Sequence, residues 1–337
     1  MTESTAPAQA ADPLALARFK LRIGRRPSVW TELFDTARRS FWWLLADLVL
    51  MALAWQMGAT STVLVGAAAA LAPFAVAAWG WRRVGRHRQM LCAWAVGDWS
   101  AVRRLSQALR ADGPPSSLLH FDLDVRLASI EARGGELAAG LRRVAPWREK
   151  LAKAPGLFES RAATVYSAAG DMPRFVQLMG EAYELSKHDA ARGLDYALAH
   201  ARFGDADQAG ALIDATDRSA LQPSAGAFVD WARGLVQERR GEAEALGSLG
   251  AAVDAFIQRA DEPVVWTSLA FAAADHALAL NRAGHAERAE ARGQEQAQAQ
   301  AQIANVWPVL KPHAHAALLR TLRDEGLLPE SAPEPKV

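Results

Sequence analysis

The sequence predicts an all-α protein in two parts, a transmembrane helical hairpin followed by a solenoid of stacked helix pairs. Three observations predict it. Alanine is abundant while tyrosine is rare and β-branched runs are few, which favours helix because Ala loses least entropy on entering one. Two long apolar stretches lie side by side within residues 41–81, the pattern of consecutive membrane spans. Behind them a helix, glycine turn, helix pattern recurs every 34–43 residues, a spacing typical of helical repeats.

The first stretch is Phe41–Met57 and the second Thr62–Trp81, separated by residues 58–61. So short a link makes the two helices antiparallel. Trp42 and Trp43 open the first, Trp79 and Trp81 close the second, and Trp55 sits near the turn, the aromatic borders expected at membrane interfaces. Gly66 and Ala70 give the small-residue spacing that lets helices approach closely in lipid. Pro73 is tolerated in a span, where neighbouring groups satisfy the freed backbone. Asp47 falls within the first span. Acids there are functional candidates by default, but its closeness to the border favours snorkelling or pairing with a border arginine. Asp47, Gly66, Ala70 and Pro73 are therefore the residues through which the hairpin would contact another membrane protein.

Charge sets the orientation. Arg38 and Arg39 precede the first span, Arg82, Arg83, Arg86 and Arg88 follow the second, and the turn is uncharged. The positive-inside rule places both termini in the cytoplasm, and the Ala/Arg-rich composition points to a bacterial inner membrane. Residues 1–100 carry eleven Lys/Arg against six Asp/Glu, and the remainder 27 against 31. That asymmetry suits anionic lipid near the N-terminal third and not a nucleic-acid binder, which needs a basic stripe on its folded domain. The single cysteine, Cys92, excludes an internal disulfide.

Residues 1–11 are polar and expected to be disordered. Residues 12–40 read as a basic amphipathic juxtamembrane segment: Asp12-Pro13 starts one helix, and Ser28 caps a second with Val29, Trp30, Leu33 and Phe34 on one side. Such a segment beside a span is expected on the lipid surface.

From residue 82 to 325 the chain reads as an α-solenoid. Its turns centre on Gly97, Gly135, Gly170, Gly204, Gly241 and Gly284, each ending one helix before Asp, Glu or His begins the next. Helix pairs of this size cannot hide their apolar faces alone and must stack. Pro312 to Glu325 gives a terminal capping helix, and residues 326–337 a disordered tail.

These turns resemble the tetratricopeptide repeat, in which a small residue stands seven positions before the turn glycine. Here that position holds Ala128, Ala163, Ala197, Gly234 and Ala277, with Met90 departing in the first pair. A second small residue is expected five after the glycine; Gly140, Ala209 and Ala289 match, while Val102, Phe175 and Leu246 do not. The resemblance covers roughly residues 89–300. It implies a concave groove lined by Asp122, Thr164, Trp231, Glu238, Phe271 and Asn281, together with an arginine two residues before the turn glycine at Arg133, Arg202, Arg239 and Arg282. A row of guanidinium groups could hold the carboxylates of an acidic peptide; equally, arginine in a last helical turn complements the helix dipole. The layout of two spans and then repeats looks like that of the HemY family, linked to haem metabolism, whose spans are joined by a longer link; no functional residue carries over.

No phosphate-binding glycine loop, zinc-binding H-E-x-x-H or nucleophile elbow occurs, so no catalytic, metal or cofactor residue is expected. His313 and His315 are two apart, which on a helix turns them to different faces. The expected role is a membrane-anchored scaffold that binds a protein partner at the cytoplasmic face. The alternatives are a structural subunit of an integral membrane complex, with the hairpin as its contact, and an enzyme with an unfamiliar site.

Overall fold

The computed structural model describes residues 13–23, 41–56, 83–111, 117–286 and 289–328, and among them every regular element is helical. Helix α1 (Pro13–Ile23) and α2 (Phe41–Gln56) come first. Then follow α3 (83–95) and α4 (Trp99–Ala111), α5 (Leu118–Arg133) and α6 (Leu137–Val144), and the short α7 (Trp147–Lys150). Next are α8 (Leu157–Ala169) with α9 (Met172–Leu185), α10 (Ala190–Phe203) with α11 (Ala206–Ala215), and α12 (Gly226–Arg240) with α13 (Ala245–Gln258). The long pair α14 (Trp266–Ala286) and α15 (Ala289–Leu310) precedes the last helix, α16 (Ala316–Asp324).

The sequence places most of these turns correctly. Gly97, Gly135, Gly170 and Gly241 adopt positive φ between +70° and +86°, a region that costs other residues steric strain. The aspartates after Gly97, Gly170 and Gly204 cap the next helix: Asp98 accepts from the Ala101 amide, Asp171 from Arg174, and Asp205 from Asp207 and Gln208. Two turns differ. Gly204 has φ −126°, so its glycine is not required for a left-handed cap. Gly284 lies inside α14, which runs on to Ala286.

Helices pack closely where small residues stand. Ala128, Ala163, Ala197 and Ala277 are fully buried, and a Cβ at Gly140 would lie 2.6 Å from the Ala128 carbonyl oxygen. The backbones of α5 and α6 therefore meet with no room for a side chain. The main core runs through α10 to α16 and includes Trp231, Leu249, Phe256, Leu269 and Ile303, while smaller cores lie under α5–α8 and under α3–α5. The arrangement is compatible with a helical-repeat fold.

One N-terminal expectation changes. Helix α1 turns Leu16 and Phe19 into the main core, Phe19 meeting the Trp266 ring edge-on at 5.9 Å. The apolar stripe expected on lipid is thus covered by α13 and α15; an amphipathic pattern fixes the face of a helix but not what that face meets. Residues 24–40 lie outside the described residues. Helix α2 coincides with the first expected span, carries Asp47 and is described over Phe41–Gln56. It exposes Leu45, Val49, Leu53 and Trp55. The second expected span, with Gly66, Ala70 and Pro73, lies outside the described residues. Among those described, one helical stretch, Pro263–Ala283, is long and apolar enough to cross a membrane, and 72% of its most apolar window is buried inside the molecule. Its apolarity is accounted for by the core of the stack.

Candidate functional site

The first helices of successive pairs share an inner face, and the chain's own C-terminal segment lies along it. After α15 the backbone turns at residues 311–315 and reaches back to the first pair. A Cβ at Gly97 would run into Pro312. The His313 ring bonds the Trp94 carbonyl through Nε2 at 2.9 Å. Arg133 donates to the Pro312 carbonyl at 2.8 Å and approaches His313 Nδ1 at 3.4 Å. His315 packs on Phe203 and caps α16 by accepting from the Leu318 amide. Leu318, Leu322 and Leu327 then enter the main core, and Glu325 ends the crossing between Asn281 and Arg282, at 2.9 and 3.3 Å. The terminal helix is therefore more than a cap on the end of the stack. With the turn before it, it straps the first, second, fourth and sixth pairs together.

This strap changes the histidine geometry. Residues 311–315 are turn and extended backbone, so His313 and His315 line one cavity instead of diverging as they would on a helix. Burial, with help from Arg133, lowers the His313 pKa to about 4; burial and then Arg202 lower that of His315 to about 4. Both rings are neutral at pH 7. Burial also lowers the Arg133 pKa to about 10, which leaves it charged.

The four expected arginines have different fates. Arg133 holds the strap. Arg239 donates to the His200 and Ala201 carbonyls at 3.2 and 3.3 Å, tying α12 to the negative end of α10. Arg282 bridges Glu238 and Glu325. Arg202 alone makes no hydrogen bond to a described residue. Its guanidinium lies 4.3 Å from the Phe271 ring centroid, 5.1 Å from Phe203 and 5.3 Å from Trp231. Its Nε is 3.7 Å from Asp275, which accepts from the Trp231 indole at 2.9 Å. Burial lowers the Arg202 pKa and raises that of Asp275, each opposed by the other's charge.

Arg202 divides two cavities. The first, about 280 Å³, includes Arg133, Phe175, Leu198, Phe271, His313 and His315 in its wall. The second, about 210 Å³, lies between α12, α14 and α16 and includes Glu238, Arg239, Asp275 and Arg282. Of the expected groove residues, Arg202, Glu238, Arg239, Phe271 and Arg282 converge here, with Trp231 beneath Arg202 and Asn281 at the Glu325 end. Arg133 joins from the far side of the first cavity. Asp122 stands apart, paired with Arg126 at 2.8 Å; burial opposes its charge, but Arg126 holds its carboxyl below the usual range. Thr164 bonds its own helix through the Arg161 carbonyl and lines neither cavity.

Asp275 was not among the expected residues, although it lies one turn after Phe271 in the same register. Phe175 and the two histidines carried no comparable signal, because their positions depend on where the strap goes. Among the described residues no three His, Cys, Asp or Glu side chains gather as a metal site. The chain matches no protein family, no curated protein and no solved structure.

Proposed function

We propose that this chain is a membrane-anchored scaffold of tetratricopeptide-like helix pairs that binds an acidic segment of a protein partner on its inner face. The hairpin pattern of residues 41–81, with arginines on both outer flanks, supports anchorage with both termini in the cytoplasm, and the Ala/Arg-rich composition supports a bacterial inner membrane. The role is non-catalytic.

The observation that carries the proposal is the grip on Glu325. The inner face already holds a carboxylate at the end of an amphipathic helix, through Asn281 and Arg282, the chemistry by which it would take the acidic segment of another chain. The exposed stripe Leu45, Val49 and Leu53 on α2 favours a second role, a structural subunit whose apolar helix contacts another membrane protein.

Crosslinking and affinity purification separate the two. The full-length chain is compared with one in which residues 41–81 are replaced by a Gly-Ser linker, which keeps α1 docked in the core. Recovery of the same partner by both chains supports the inner face as the binding element. Recovery by the full-length chain alone assigns specificity to the hairpin and contradicts the leading proposal.

A further inference from the structure

We propose that the larger inner-face cavity is a binding site for a small apolar carboxylate, gripped by Arg202. This site is distinct from the grip on Glu325 and does not depend on the partner-binding proposal.

The first observation is the state of Arg202. Its side chain is only 12% exposed, yet none of its five N–H donors bonds a described residue. Its nitrogens are not fully enclosed; they keep contact with the two cavities that Arg202 lines, where an acceptor on a bound molecule can meet them. Asp275 stands at Nε, 3.7 Å away, and the two Nη groups have no acceptor among the described residues. The ring contacts do not satisfy them: Phe271 lies 4.3 Å from the guanidinium carbon, and aromatic rings attract the face of the group, whereas its hydrogen bonds run in its plane. The fork suits the two oxygens of one carboxylate.

The second observation is the wall. Phe175, Phe203, Met172, Met179 and Leu198 surround the cavity beside Arg202. Phe175 and Phe203 meet edge-on at 5.8 Å, and methionine adapts its shape to irregular apolar ligands. The volume of about 280 Å³ equals about nine waters at ~30 Å³ each, enough for a short aliphatic or single-ring acid. A few convergent polar groups in an apolar wall is the usual makeup of a small-ligand pocket.

The third observation is charge. Arg133 borders the cavity, and its Nε is buried without a partner. His313 and His315 are neutral and add no positive charge. The wall contains one carboxylate, Asp195, half-exposed and paired with Arg192 at 3.3 Å. The interior beyond it faces two guanidinium groups, so it favours an anion. Half-buried Ser167 and Thr267 accompany Asp195 in the wall.

The test is a ligand-observed NMR titration of the full-length chain in non-ionic detergent. The probes are 3-phenylpropanoate, octanoate, 3-phenylpropanamide and acetate. The expected result is saturable binding of both apolar acids. The amide binds at least about tenfold more weakly, since a hydrogen bond to a charged group is worth that factor or more, and acetate does not bind measurably. Arg202→Gln weakens 3-phenylpropanoate at least about tenfold. Because that change also removes the cation beside Asp275, Leu198→Trp serves as a second variant; it fills the cavity, leaves Arg202 in place and abolishes binding. Circular dichroism confirms that each variant is folded. Equal affinity for acid and amide overturns the proposal, as does failure of both acids to saturate, or wild-type affinity in folded Leu198→Trp. A tetrapeptide ending in Phe, with free or amidated C-terminus, separates the source of the carboxylate. Binding of the free-ended peptide without binding of the free acids overturns the small-ligand assignment in favour of a chain end.

Discussion

Two places in this molecule use the same three groups, an aspartate, an indole N–H and an arginine, and arrive at opposite results. Asp124 on α5 accepts from Trp147 at 2.9 Å and from both Nη groups of Arg110 at 2.7 and 3.1 Å. Arg143 stands 3.9 Å away and turns its own hydrogen bonds to Glu131. Every strong donor there meets an acceptor. Asp275 on α14 also accepts an indole N–H at 2.9 Å, but its arginine, Arg202, stays 3.7 Å off and stacks among aromatic rings. The first arrangement is a closed structural knot. The second keeps a charged fork in reserve beside a cavity. The difference lies less in residue type than in whether geometry lets the arginine finish its hydrogen bonds inside the protein.

The comparison is broken most forcefully at Asp124. Asp124→Ala leaves the Trp147 N–H and Arg110 without their buried acceptor, and urea denaturation should show a loss of about 3–5 kcal/mol. Acidification acts on the strap with a somewhat smaller effect. The His313 pKa is about 4 in the folded chain against an ordinary 6.5, so between those values the unfolded chain binds more protons. Stability is fully present above about pH 6.5 and is lost as pH falls toward 4, by about 3 kcal/mol for this one group. Thermal unfolding followed across that range should show the loss, and His313→Gln should reduce it by this group's share, leaving that of His315, whose pKa is also about 4.

Arg202→Gln should cost less than Asp124→Ala, about 1–2 kcal/mol, the scale of its ring contacts. Asp275, whose pKa burial already raises, can take up a proton and keep its Trp231 bond. A loss equal to that of Asp124→Ala in the same urea titration would erase the distinction between knot and reserve. Glu325→Gln is the mildest change, about 0.2–1 kcal/mol, because its ion pair with Arg282 is partly exposed and such pairs contribute little. Hydrogen exchange should nevertheless show faster opening confined to α16.

Much of the helix-pair arrangement was legible in the sequence. The turn glycines at 97, 135, 170 and 241 declare themselves because positive φ is costly for other residues, and Ala128 with Gly140 because two backbones touch there. Gly284 misled because glycine can also sit inside a helix held by packing on both sides, as α14 is. The register taken from the tetratricopeptide resemblance named Arg202, Glu238, Phe271 and Arg282, which line one or both of the two cavities. The sequence could not disclose partners. The stripe of α1 did not say whether lipid or protein would cover it, and nothing local in Pro312–Glu325 indicates that it returns to Trp94. Three of the four groove arginines were consequently expected to face a ligand, yet they bind this chain's own carbonyls and carboxylates.

The central claim, that a protein partner seats on the inner face, is tested most directly by site-specific photocrosslinking in the full-length chain. A photoreactive residue is placed at Thr164, one turn from Ser167 of the cavity wall, at exposed Arg142 on α6, and at exposed Val49 on α2. The account predicts one discrete protein adduct from Thr164 and none from Arg142. An adduct from Val49 or Arg142 with none from Thr164 would contradict it.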